Sequence, residues 1–174
     1  MGGVLTVKES NPAGYALFLK ARYLGRLGTP EGWTQSVGLY QQALAIEPDY
    51  AAAWSGLSGS YISQTNKSYL PPLKGYAMAR DAASRALIIN PDFATAHAQL
   101  GLIADYHDRN PAAAAGHLQR ALALDPSNPD ILLAAAGLNG SLGRLDLALD
   151  LTRAAIARDP LDLIAHRSAG VLYL

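Results

Sequence analysis

Four histidines, His97, His107, His117 and His166, head the residues of this 174-residue chain that could do chemistry, and there is no cysteine. Without a thiol, disulfides, thiolate zinc sites and a cysteine nucleophile are excluded. Asp105, His107 and Asp108 gather carboxylate and imidazole within four residues. Those are donors a divalent metal accepts, yet no second histidine stands at helical spacing to complete a ligand set. Asp146 and Asp150 are like charges four apart, as on a solvated helix face rather than in an inward-facing acid–base pair. Gly137, Gly140 and Gly143 are spaced by three, but no strand precedes them, so they read as packing and turn glycines. No Gly-x-Ser-x-Gly elbow, His-Glu-x-x-His pair or phosphate loop is present. The expectation is a chain that is not an enzyme and holds neither cofactor nor metal.

Composition agrees with a folded, uncharged-on-balance chain. Half the residues are apolar and 16% are charged, with net charge zero. Residues 1–87 carry eight Lys/Arg and five Asp/Glu, while 88–174 carry six and nine. No basic stripe emerges, so nucleic acid is not an expected partner. No apolar run approaches the roughly 18 residues that a membrane span requires. The opening Met-Gly-Gly-Val-Leu-Thr-Val-Lys lacks a basic region followed by an apolar core, so it does not read as a signal peptide. The expected compartment is the cytoplasm, or the periplasm if a membrane span lies upstream in a parent chain.

The elements that must position any site come from repetition. Pro48, Pro91, Pro126 and Pro160 each close one phrase: Ala-Leu-Ala-Ile-Glu-Pro, Ala-Leu-Ile-Ile-Asn-Pro, Ala-Leu-Ala-Leu-Asp-Pro, Ala-Ile-Ala-Arg-Asp-Pro. Such a period means stacked units that bury a core only against their neighbours. The units run 14–50, 51–93, 94–128 and 129–162, with a truncated fifth at 163–174 and an N-terminal extension at 1–13. Each carries two amphipathic helical stretches. Small residues recur at matching places: Ala21, Ser58, Gly101, Ala136 and Gly170 in the first helix, and Ser36, Ala79, Ala114 and Ala148 in the second. Ala43, Ala86, Ala121 and Ala155 follow seven residues later. Helix axes about 8 Å apart need small side chains at the contact. Leu17, Trp54, His97, Leu132 and His166 share a bulky place, so His97 and His166 read as core residues. Asn139 is the polar misfit in the series Leu24, Tyr61, Ala104, Asn139, Tyr173.

Helix starts are marked by Asn11-Pro12, Thr29-Pro30 and Asn110-Pro111, each a capping oxygen followed by a proline at the first helical position. Gly143 supplies a left-handed residue inside the fourth unit. Nine helices are predicted, near 13–27, 30–46, 50–64, 71–89, 93–108, 111–124, 129–141, 145–158 and 163–174. The first unit is three residues longer than the fourth, around Thr29-Pro30-Glu31. The second is nine longer, and those residues are assigned to the loop Gln64–Pro72.

With its large-small pairs Leu57-Ser58, Leu100-Gly101 and Ala135-Ala136, its second-helix alanines and its closing prolines, the chain resembles the tetratricopeptide repeat (TPR) family over 14–174. The resemblance implies an all-α right-handed superhelix of stacked antiparallel helix pairs, whose concave groove binds a protein or peptide. It places Tyr15, Phe18, Arg22 and Arg26 in the groove from the first unit, then Ser55, Gly59 and Ile62. Thr95, Ala98, Leu102 and Tyr106 follow, then Leu133 and Gly137, with Arg167 from the truncated unit. Aromatic and arginine side chains suit an extended or helical peptide. The carboxylate clamp of the family's chaperone-binding members is not assembled, because its places carry Phe18, Arg22, Gly56, Thr95 and Gln99.

The opening Asn11-Pro12…Tyr15…Leu17…Leu19-Lys20…Arg22-Tyr23 also resembles repeat regions that follow signalling domains in bacterial nucleotide cyclases and winged-helix regulators. That resemblance implies a self-association or regulatory module of a larger protein. The last helix lacks a covering partner, and solenoids need polar end caps. Ala169, Val171, Leu172 and Tyr173 are therefore expected to support a homodimer through the C-terminal helix.

Overall fold

The computed structural model describes residues 11–160 together with positions 166 and 169. Eight helices fill that span: α1 (Pro12–Arg26), α2 (Pro30–Ile46), α3 (Ala51–Asn66), α4 (Pro72–Ile89), α5 (Ala94–Tyr106), α6 (Pro111–Leu124), α7 (Pro129–Ser141) and α8 (Leu145–Arg158). The chain is all-α, and the helices pack pairwise as stacked repeats: α1 on α2, α3 on α4, α5 on α6, α7 on α8. The ninth predicted helix, the face expected to dimerise and Arg167 lie outside the described residues, apart from positions 166 and 169.

Capping chemistry sets the starts. Asn11 Oδ1 accepts the Ala13 amide at 3.0 Å, Thr29 Oγ1 the Gly32 amide at 3.0 Å, and Asn110 Oδ1 the Ala113 amide at 3.1 Å. Asn128 caps α7 in the same way, accepting from Asp130 and Ile131. Each turn within a hairpin reverses through one left-handed residue. Gly28 and Gly143 do so in the first and fourth units, and Ser68 and Arg109 in the second and third.

Every described member of the small-residue places is buried, with Ala21, Ser36, Ser58, Ala79, Ala114 and Ala148 at 0% exposure. The bulky place has a polar logic of its own. The Trp54 indole donates Nε1–H to the Pro48 carbonyl at 2.8 Å. The imidazoles of His97 and His166 make the same bond through Nε2, to Pro91 and Pro160, each at 2.9 Å. A ring N–H thus satisfies the closing proline's carbonyl six residues back, which explains why histidine substitutes for tryptophan here. Asn139 ceases to be a misfit, because its Nδ2–H donates to the Ala135 carbonyl at 2.8 Å.

The extra length of the second unit is not a loop. Relative to α7 and α8, α3 is three residues longer and α4 four, while the turn at 67–71 gains only two. The hairpin extends by about one helical turn on each side. In the first unit the three extra residues lie in α2, since the turn at 27–29 matches that at 142–144 in length. These added turns pack on one another. Trp33 of α2 is buried, with its ring 5.8 Å from that of Tyr69. Gly75 of α4 lies directly against Thr65 of α3.

Contacts between alternate helices fix the curvature. The first helices touch in succession, α1 with α3, α3 with α5 and α5 with α7, whereas no second-helix pair packs comparably among the described residues. First helices therefore line the tighter, concave side and second helices fan outward. The curl is strong enough that Arg26, at the end of α1, meets Asp159, just after α8, at 3.4 Å.

Candidate functional site

The concave face is built from α1, α3, α5 and α7, and its first-unit part carries a cluster of aromatic rings. Tyr15 and Phe18 stack at 6.3 Å, and Phe18 leans on Tyr50 at 5.1 Å and on Tyr40 at 6.0 Å. Arg22, one turn on, lays its guanidinium 5.7 Å from the Phe18 ring. A cation over an aromatic face is held without losing its charge, so this corner offers apolar surface and a positive group together. Tyr15 and Arg22 are exposed and Phe18 is half-buried.

The remaining predicted groove residues divide. Thr95, Leu102 and Leu133 are half-buried, and Tyr106 and Gly137 are exposed. Tyr106 approaches Gly137 so closely that a Cβ at 137 would sit 3.4 Å from the phenol oxygen. Burial, with Asp105 and Tyr76 adding to it, pushes the Tyr106 phenol up. Ser55, Ile62 and Ala98 are buried and do not line open surface. Successive first helices pack on one another, which covers the side chains facing the neighbour. Ser55 is sealed by Gln99, whose amide takes the Ser55 hydroxyl hydrogen at 3.2 Å and donates to the Ser55 carbonyl at 2.9 Å. A Cβ at Gly59 would lie 3.2 Å from that same Gln99 amide nitrogen. Arg26 lies at the rim, engaged with Asp159.

Two features had no local signal in the sequence. The ring of Tyr40, from α2, runs against Gly56 of α3 and beside Phe18 of α1. On the outer side, α2 and α4 leave a cleft of about 560 Å³ floored by Trp54, Leu57 and Tyr61 of α3, with Gln41, Met78 and Asp81 on its walls. Arg85 stacks on the Trp54 ring at 4.8 Å and pairs with Asp81 at its edge.

The side chains first considered for chemistry have structural partners. Asp108 accepts two hydrogen bonds from Arg80, at 2.7 and 2.8 Å, and His107 stacks on Tyr76 at 5.0 Å. His97 and His117 face one another through Nδ1 at 3.4 Å. Among the described residues, no three of His, Asp or Glu are grouped as a metal site, and no helix is long and apolar enough to cross a membrane.

No family model matches the sequence, and no curated protein is significantly similar to it. Solved structures are. TTC0263, a thermophilic TPR protein of Thermus thermophilus, superposes with a TM-score of 0.75 at 29% identity, over 96% of this chain and 85% of its own. YrrB, a TPR protein with an unusual peptide-binding site, matches at 0.54 and 22%, over 95% and 78%. The first TPR of Spaghetti (RPAP3), bound to an HSP90 peptide, matches at 0.56 and 17%, over 75% and 94%. The fold is therefore that of TPR proteins. None of these three is named as a cyclase or a winged-helix regulator.

Proposed function

We propose that this chain is a non-catalytic TPR scaffold that binds a peptide segment of a partner protein along the concave face of α1, α3, α5 and α7. The observation that carries the reading is the open corner of Tyr15, Phe18 and Arg22, continued by the half-buried Leu102 and Leu133 and the exposed Tyr106. Apolar and aromatic surface gives a peptide somewhere to bury its side chains, and the guanidinium orients it. YrrB has a peptide-binding site and the RPAP3 domain is bound to a peptide, which supports a peptide-binding role for the same fold. The non-catalytic part rests on the occupation of His97, His107, His166 and Asp108 by structural contacts.

Selection from a random-peptide display library, followed by amide-shift mapping of a selected peptide on the ¹⁵N-labelled protein, tests the proposal. Shifts at Phe18, Arg22, Gly59, Leu102 and Gly137 are expected. Shifts confined to the outer cleft, at Trp54, Met78 and Asp81, would replace the concave face with that cleft as the docking surface.

A further inference from the structure

Apart from the groove, we propose that the outward side of α1 is a second interaction surface, which docks an acidic amphipathic helix of a partner protein.

The repeat identifies the surface. Leu19 and Tyr23 stand two residues before and two after the small place at Ala21. In the later units the residues at those two positions pack on the unit before. In α3, Gly56 meets the Tyr40 ring, and Ser60 Oγ lies 2.9 Å from Ser36 Oγ. In α5, Gln99 makes two hydrogen bonds to Ser55, and Ile103 joins the core cluster of Tyr76 and Ala79. In α7, Ala134 and Leu138 are buried in one cluster with Ala98 and Leu118. This side of a first helix is therefore the one on which a neighbouring helix pair stacks. In α1 it is open among the described residues: Leu19, Tyr23 and Leu27 are 37%, 66% and 50% exposed.

Its composition suits a partner helix rather than water. A solenoid end that faces solvent is polar. Here Ala16, Leu19, Tyr23 and Leu27 follow one another at intervals of three, four and four residues, the spacing of a helix–helix seam. The stripe runs along α1 for about 16 Å, or three turns.

Charge selects the kind of helix. α1 contains Lys20, Arg22 and Arg26 and no acidic residue. At 100° per residue, Lys20 borders the seam on one side and the two arginines border it on the other. Arg26 has Asp159 as a partner, whereas no described carboxylate pairs with Lys20 or Arg22. Two copies meeting symmetrically through this side would set like charges against each other. Glutamates flanking a leucine seam would pair with them instead.

The test uses the whole chain and three peptides capped by acetyl and amide groups. The first is Leu-Glu-Ala-Leu-Ala-Gln-Glu repeated twice and closed by Leu. The second replaces every Glu by Lys, and the third scrambles the first so that the seam is lost. The Glu peptide is expected to bind about tenfold more tightly than either control, and more weakly as salt rises. It should move the amides of Ala16, Leu19 and Tyr23 and leave Leu102 and Gly137 unmoved. Tyr23→Glu is an exposed change that sets a like charge in the seam. It should weaken the Glu peptide about tenfold and leave a display-selected groove peptide unaffected. Equal binding of the Glu and Lys peptides, or binding that survives Tyr23→Glu, overturns the proposal. So do shifts at Leu102 and Gly137 in place of α1, which would move the Glu peptide into the groove. A dimer in sedimentation that Tyr23→Glu dissolves would make a second copy the occupant and overturn the partner assignment. No binding by the Glu peptide also overturns the proposal, and the groove reading falls only if display-selected peptides move no concave-face amide.

Discussion

Gly101 and Gly116 sit in the two helices of one hairpin, and replacing each by alanine should move stability in opposite directions. Alanine in a helix interior is favoured over glycine by about 0.5–1 kcal/mol, because glycine loses more backbone freedom on folding. At Gly116 the added methyl would meet nothing within 4 Å, so Gly116→Ala should stabilise by that full amount. At Gly101 the methyl would lie 2.8 Å from Leu118 Cγ, 3.2 Å from its Cδ2 and 3.3 Å from the Ala114 carbonyl oxygen. Leu118 is 3% exposed and has nowhere to swing, so α5 and α6 must separate. Overpacking costs about 1–3 kcal/mol, which outweighs the propensity gain and leaves Gly101→Ala destabilised by about 1–2 kcal/mol. Urea unfolding followed by circular dichroism reads both, provided the slopes stay equal so that midpoints report stability. If Gly101→Ala is stabilised like Gly116→Ala, then α5 and α6 are not in close contact there and the repeat register is wrong.

Ser58 Oγ is sealed without a partner, so Ser58→Ala should raise stability by about 1 kcal/mol; a loss in the same urea assay would mean the hydroxyl is satisfied after all. Trp54→Ala removes a half-buried indole, its stack with Arg85 and its bond to Pro48, for a cost of about 2–3 kcal/mol. Trp54→His should recover part of that, as His97 and His166 make the equivalent bond; no recovery would dismiss the ring N–H as a stabilising element. The His117 imidazole is held below its ordinary range by burial first, then by His97 and Arg80. Unfolded chains take up that proton as pH falls through about 6.5 and the folded state resists it, so stability should be complete above that range and decline below it. The decline should be shallower in His117→Phe; an unchanged pH dependence of the urea midpoint would show that His117 is not responsible.

Much of this fold was legible because its determinants are local and repeated. Each proline stops a helix by its own chemistry, each Asn-Pro or Thr-Pro opens one, and the small residues recur at a fixed offset from both. Those signals located the eight described helices to within about two residues, as far as helix ends are defined. The extra residues of the second unit were misplaced because loop-like composition, Thr65-Asn66-Lys67-Ser68, overlies the end of α3. What keeps that last turn helical is tertiary: Thr65 is buried against Gly75, and Tyr76 donates its hydroxyl to Asn66 at 2.6 Å. The groove list was less legible for a related reason. A face assignment says which side chains point inward along a helix, but not which the next helix covers, and Gln99 covering Ser55 is a contact 44 residues distant.

Two of the glycines that accept a foreign side chain, Gly101 and Gly56, each receive it from a second helix. Gly101 admits Leu118, an apolar side chain from the partner helix of its own hairpin, and the result is ordinary core. Gly56 admits Tyr40, from the second helix of the preceding unit, and the intruding group ends in a hydroxyl that no described residue satisfies. The repeat alone explains the first, since a small residue at that place is what every unit requires. Gly56 lies two residues before the shared small place at Ser58, where the other described first helices carry Leu19, Gln99 and Ala134, but Tyr40 stands four residues after Ser36 as Leu118 stands four after Ala114, so both intruders fill one buried place of the repeat. A core contact would be served as well by phenylalanine, which leaves no polar atom behind.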